Sequence, residues 1–142
     1  MTTQVQPRVR GTVQTRRALG VAAASAAALI AWAIVDPVGG VRLAVHSGDG
    51  TTTIGPVSVL MTSLVTGLLG WACLAVLERV VRRPRLAWTG TAAVSLALSL
   101  LGPLGSAVDG ASRAGLVGLH IVVGVVLIAV LGGTAPSRRA GR

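Results

Sequence analysis

Four stretches of the chain run without a charged residue: 18–35, 50–77, 86–108 and 114–137. A helix that crosses the hydrocarbon core of a bilayer needs about 20 apolar residues. Once their polar ends are trimmed, all four stretches come near or above that length. They predict helices over about 18–35, 57–77, 86–107 and 114–131. The fold class expected is an all-α membrane protein, a four-transmembrane-helix bundle. Residues 1–17 are polar, without apolar periodicity, and read as a disordered basic tail. Residues 132–142 form a second basic tail.

The segments between the helices carry turn and cap signals. Asp36-Pro37 stops the first helix, and Gly55-Pro56 opens the second, because proline's missing N–H is no loss in a first turn. Between them, Val41, Leu43 and Val45 alternate with Arg42, Ala44 and His46 ahead of Ser47-Gly48-Asp49-Gly50. Period-two alternation beside a Gly/Asp turn reads as a short β-hairpin. A flexible loop is the other reading, since an isolated hairpin is marginal in water. Gly102-Pro103 ends or kinks the third helix. Trp32 and Trp88 stand near span ends, where an indole suits the headgroup boundary.

The start of the chain also resembles a secretory signal, with a basic lead, an apolar stretch and Ala31-Trp32-Ala33 as an A-x-A-like site. The Arg16-Arg17 pair is similar to part of a twin-arginine signal. Three further spans and an apolar stretch long enough to cross favour a retained first helix.

Charge then fixes an orientation. The 142 residues contain 13 arginines, no lysine and four acids, for a net charge of +9. Four arginines precede the first span (Arg8, Arg10, Arg16, Arg17), four lie in the 78–85 loop (Arg79, Arg82, Arg83, Arg85), and three end the chain (Arg138, Arg139, Arg142). Arg42 and Arg113 stand alone on the other side, together with Asp36, Asp49 and Asp109. Cytoplasmic loops hold the excess of basic residues. Both termini and the 78–85 loop are therefore expected in the cytoplasm, with 36–55 and 102–113 outside a plasma membrane. The same arginines can attract anionic headgroups, at about 1 kcal/mol each near the surface. Nucleic-acid binding is excluded: the arginines are split among three short segments beside spans, with no interleaved aromatics to stack on bases.

Candidate chemistry is sparse. No Asp, Glu or Arg falls in the four helix cores. Small proton-coupled multidrug exporters share the length and helix count, but they rely on a glutamate in the first helix, where this chain offers only Ser25. Cys73 is the single cysteine and His46 and His120 are the only histidines, so no metal-ligand spacing exists and no cofactor is implied. In helix 2, Ser58, Thr62, Thr66 and Gly70 recur every four residues, with Ser63 and Gly67 alongside. Such a stripe is a helix-packing seam or a polar cavity lining. Ser95 and Ser99 form another pair four apart in helix 3, and together with Gly115, Gly118 and Gly124 in helix 4 they look like packing positions. Counting rises along the helices places His120, Thr62, Ser63, Thr66 and Ser99 at overlapping depths in the outer half of the membrane. They form a candidate intramembrane cluster. His120 alone is read first as a structural hydrogen-bonding group. Glu78 is expected to pair locally with Arg79 and Arg82.

The segment Val57 to Arg79, with Ser63-Leu64, Gly67-Leu68-Leu69-Gly70-Trp71 and Leu77-Glu78-Arg79, resembles a family of small actinobacterial four-span membrane proteins, the domain of unknown function 6069. The resemblance continues through Leu98-Ser99-Leu100-Leu101-Gly102-Pro103-Leu104 and Leu119-His120-Ile121-Val122. It implies four spans and neither catalytic residues nor a ligand. Two functions remain. One is a non-enzymatic structural or accessory protein that packs with itself, as a homo-oligomer, or with a larger membrane partner. The other is a small transporter or channel subunit built around the His120 cluster.

Overall fold

The computed structural model describes residues 8–135. Helix α1 covers Arg8–Ala33 and ends in a wide π-type turn, Ile34–Val38. Strands β1 (Ala44–Ser47) and β2 (Gly50–Thr53) follow, then α2 (Pro56–Val80), α3 (Pro84–Ser99), α4 (Leu101–Ser106) and α5 (Gly110–Thr134). Four helical segments, Gly11–Val38, Pro56–Val80, Pro84–Ser106 and Gly110–Thr134, are long and apolar enough to cross a membrane. The expected four-helix architecture stands, and the chain is a multi-pass membrane protein.

The boundaries move in instructive ways. The basic segment before the first span is helical from Arg8 onward, against the expected disordered tail; residues 1–7 lie outside the described part. Arg16 and Arg17 continue the α1 helix, and Arg17 is buried at the bundle end, where it has a carboxylate partner described below. The third span breaks at Leu100. Pro103 lacks the N–H that would bond Ser99, and its ring crowds that carbonyl, so the helix restarts as α4 after one residue. The last span begins at Gly110, earlier than its apolar run, because Asp109 caps it: Asp109 Oδ1 accepts from the Ser112 N–H at 2.6 Å.

The α1 helix packs against both α2 and α5, and α3 packs mainly against α5. Two apolar clusters fill the contacts. At the end near the 81–83 connection, Ala24, Leu74, Trp88, Leu127 and Leu131 meet. At the opposite end, Ala28, Val59, Leu116 and Leu119 surround Leu43 from the loop. Trp88 is not an interfacial ring: it is 4% exposed, and the neighbouring Gly70 and Gly132 leave room for it.

The hairpin reading of residues 36–55 is the one the structure adopts. The strands pair antiparallel, from Ala44 opposite Thr53 to Ser47 opposite Gly50. Gly48 takes a positive φ of 58° at the first turn position, the place where a two-residue hairpin turn favours glycine. The hairpin is held from outside, as its small size requires. The Trp32 indole N–H donates to the Ile54 carbonyl at 2.9 Å, and the Leu43 N–H donates to Asp36 Oδ2 at 2.9 Å. The Val108 N–H donates to the Ala44 carbonyl at 3.2 Å. The hairpin thus closes one end of the bundle.

Candidate functional site

Because α2 leans on α1 while α3 leans on α5, a gap remains between α2 and α3, floored by α5. It is a half-open groove of about 710 Å³. Its α2 wall carries Ser58, Thr62, Ser63 and Thr66, its α3 wall Thr91, Ser95 and Ser99, and α4 adds Ser106. His120 contributes from α5, Val45 and Ile54 from the hairpin end, and Cys73, Trp88 and Ile128 line the opposite end. All five residues of the sequence-derived cluster, His120, Thr62, Ser63, Thr66 and Ser99, line this one groove. Their depth shifts slightly. With α5 starting at Gly110, His120 stands about 15 Å along the helix, near mid-span.

The helix 2 stripe divides between its two readings. Ser63 and Gly67 are buried, and a Cβ on Gly67 would lie 2.7 Å from Val21 Cγ1; this flank is the packing seam with α1. Ser58, Thr62 and Thr66 are exposed and line the groove. Ser95 and Ser99 are likewise exposed lining groups rather than packing positions. Ser58, Thr91, Ser95 and Ser106 extend the cluster beyond the sequence reading. The signal for Ser58, Thr91 and Ser95 was the same four-residue spacing, which runs as 91, 95 and 99 on α3; Ser106 falls outside it.

The hydrogen bonds sort these groups. Ser63 Oγ donates to the Leu60 carbonyl at 2.9 Å, Ser99 Oγ to Leu96 at 2.8 Å, and Ser106 Oγ to Gly102 at 2.8 Å. Among the described residues, Thr62, Thr66, Thr91 and Ser95 have no protein partner for their hydroxyls. His120 Nδ1 lies 2.8 Å from the Leu116 carbonyl. A carbonyl only accepts, so Nδ1 carries the hydrogen, and in the neutral form of the ring Nε2 is the acceptor. Among the described residues no Asp, Glu or Arg lines the groove. Among the described residues no three His, Cys, Asp or Glu side chains gather closely enough to hold a metal ion. The groove can hydrogen-bond and can bury apolar surface.

Charge chemistry sits at the bundle end instead. The Arg17 guanidinium pairs with Glu78 Oε1 across the α1–α2 contact, and its Nε donates to Thr134 Oγ1 at 3.1 Å. The expected local pairing of Glu78 with Arg79 or Arg82 is replaced by this one. Arg79, Arg82, Arg83 and Arg85 are exposed beside it; Arg138 and Arg139 lie outside the described residues. At the hairpin end, Ser112 is fully buried, and its hydroxyl donates to the Arg42 carbonyl at 3.0 Å.

A family model described as a family of unknown function, DUF6069, matches residues 8–137. No curated protein and no solved structure matches the chain.

Proposed function

The chain belongs to the DUF6069 family, and from that premise we propose a non-enzymatic accessory role: a plasma-membrane protein, both termini cytoplasmic, that binds within the bilayer through the α2–α3–α5 groove. One observation carries this reading. Thr62, Thr66, Thr91 and Ser95 line a groove between membrane spans without a hydrogen-bond partner among the described residues. A polar group left unsatisfied in hydrocarbon is costly, so such a surface favours a guest that supplies hydrogen bonds. The lining supports binding over catalysis because, among the described residues, the His120 ring is bonded to the Leu116 carbonyl and to no hydroxyl that it could activate. As an accessory protein it packs with itself or with a larger membrane partner.

A second reading, a small transporter or channel subunit, draws on His120. Its free Nε2 stands among hydroxyls on the groove floor, a place where a moving solute could be passed along.

The test uses the full-length protein in lipid nanodiscs. Native mass spectrometry should detect a retained non-covalent guest that is lost in Ser95→Phe, which fills the groove from an exposed position. No guest in the wild type, or a guest unaffected by that change, overturns the binding reading. Flux in liposomes that disappears in His120→Leu would move the assignment to transport. Crosslinking in native membranes reports whether the companion is a second copy or a larger protein.

A further inference from the structure

The groove is not uniform along its length, and its asymmetry describes its guest. Toward the hairpin end its walls carry Thr62, Thr66, Ser99 and His120, while toward the other end Leu69, Cys73, Trp88, Leu127 and Ile128 predominate around the hydroxyls of Ser95 and Thr91. Resting on the binding reading above, we infer that the groove holds an uncharged, single-chain amphiphile, with a hydroxyl or carbonyl head at the His120 level and its hydrocarbon chain toward Trp88.

Three arguments select this class. The first is size. The groove's 710 Å³ falls within the roughly 300–1,000 Å³ typical of small-molecule sites. A spanning helix, taken as a cylinder about 10 Å wide and 30 Å long, occupies about 2,000 Å³. A slender molecule can be enclosed where a helix cannot.

The second is charge. Among the described residues the lining holds no Asp, Glu or Arg, and His120 stands near mid-span. An ionised phosphate or carboxylate at that depth would lack a fixed counter-charge and bear the full desolvation cost. A neutral oxygen does not.

The third is hydrogen-bond pairing. In the neutral ring His120 Nε2 accepts, since Nδ1 is committed to the Leu116 carbonyl. The hydroxyls of Thr62 and Thr66 have no partner among the described residues and can donate or accept. A hydroxyl head can donate to the imidazole and accept from a threonine. A carbonyl head can accept from the threonines. Both satisfy groups that hydrocarbon alone would leave open.

The experiment is photo-crosslinking of the full-length protein in nanodiscs of zwitterionic lipid, with two diazirine probes of equal chain length. One ends in an alcohol (hexadecanol), the other in a carboxylate (palmitate). The alcohol probe should label α2, α3 and α5 peptides around the groove saturably and be competed by unlabelled hexadecanol. Ser95→Phe and Thr62→Phe, two exposed positions on opposite walls, should each abolish the saturable component. His120→Leu should weaken apparent affinity about tenfold, the effect of one lost hydrogen bond, and His120→Gln should restore most of it. Equal saturable labelling by palmitate, still blocked by Ser95→Phe, overturns the uncharged head and leaves the binding reading standing. Unsaturable labelling by both probes, spread over the lipid-facing surface, overturns both.

Discussion

Arg17 on α1 reaches across the bundle to pair with Glu78 near the end of α2, and the same guanidinium is hydrogen-bonded to Thr134 of α5. One side chain thus joins three helices at the end opposite the hairpin. Its side chain is 6% exposed and that of Glu78 is 21% exposed. Removing one member strands the other charge in a mostly enclosed site. Glu78→Ala should cost about 2 kcal/mol, less than the 3–5 kcal/mol of a fully buried pair because Glu78 keeps some contact with solvent. Replacing both residues with leucine should recover much of that loss, since a stranded charge costs more than an absent pair. Thermal unfolding in detergent, followed by loss of helicity, measures both; equal melting of wild type and Glu78→Ala would contradict the relationship.

This pair also marks how far the sequence can be read. The four spans were legible because each is a long charge-free run, and the groove cluster was legible because residues four apart share a helix face. Arg17 looked like one more topology signal, and its pairing with Glu78 depends on helix neighbours that periodicity does not report. Trp88 misled for a related reason: an indole near a span end suits the interface, but here Gly70 and Gly132 open a slot for it in the core. Asp109 moved the start of α5 outward through a local cap, in a place where the apolar run alone suggested a turn. The α3 hydroxyls at 91, 95 and 99 carried a readable period, yet only the divergence of α2 from α3 makes them cavity lining rather than seam.

Ser112 fastens the hairpin to α5. Its hydroxyl donates to the Arg42 carbonyl at 3.0 Å and accepts from the Ala44 N–H at 3.4 Å, the longer and weaker of the two. Ser112→Ala leaves both backbone groups short of a partner in a site with no exposure. The expected cost is about 1–3 kcal/mol. The loosened strand should also be cut faster by trypsin after the exposed Arg42. Unchanged melting together with unchanged cleavage would show that the hairpin is held by its other contacts alone.

Two glycines one turn apart on α5 should respond in opposite directions. A Cβ on Gly115 would stand 2.6 Å from Leu43 Cδ2 and 2.8 Å from Val35 Cγ1, whereas a Cβ on Gly118 meets nothing within 4 Å. Leu43 is fully buried and has little room to yield. Gly115→Ala should therefore cost about 1–3 kcal/mol through overpacking. Gly118→Ala should gain about 0.5–1 kcal/mol by restricting the unfolded backbone. A pair of melting curves decides it, and like shifts in both variants would be inconsistent with Leu43 seated against Gly115.

The arrangement of arginines predicts an orientation that the fold leaves free. Eleven of the thirteen lie in the sequence segments 1–17, 78–85 and 132–142, and the segments 36–55 and 102–113 keep Arg42 and Arg113 with three of the four acids. By the excess of basic residues on the cytoplasmic side, a reporter fused after Arg142 should be active only in the cytoplasm, and one inserted at Asp49 only outside. The reverse pattern would invert the assignment and place the hairpin in the cytoplasm.

Asp109 supplies a pH dependence with a definite sign. The Ser112 backbone N–H foremost, with the Ala111 N–H, holds its carboxyl below the ordinary value of 3.8, against a smaller upward push from burial. A carboxyl lowered by folding stabilises the fold while it is ionised in the unfolded chain as well. That contribution is fully present above pH 3.8 and is lost as the pH falls through the lower folded value. The informative quantity is a difference between two proteins. Asp109→Asn keeps an acceptor at a position where asparagine caps nearly as well, but it cannot titrate. Wild type should melt higher than Asp109→Asn at neutral pH, and the gap should close as the pH is lowered below 3.8. A gap that stays constant into that range would mean that the Asp109 charge contributes nothing to the cap.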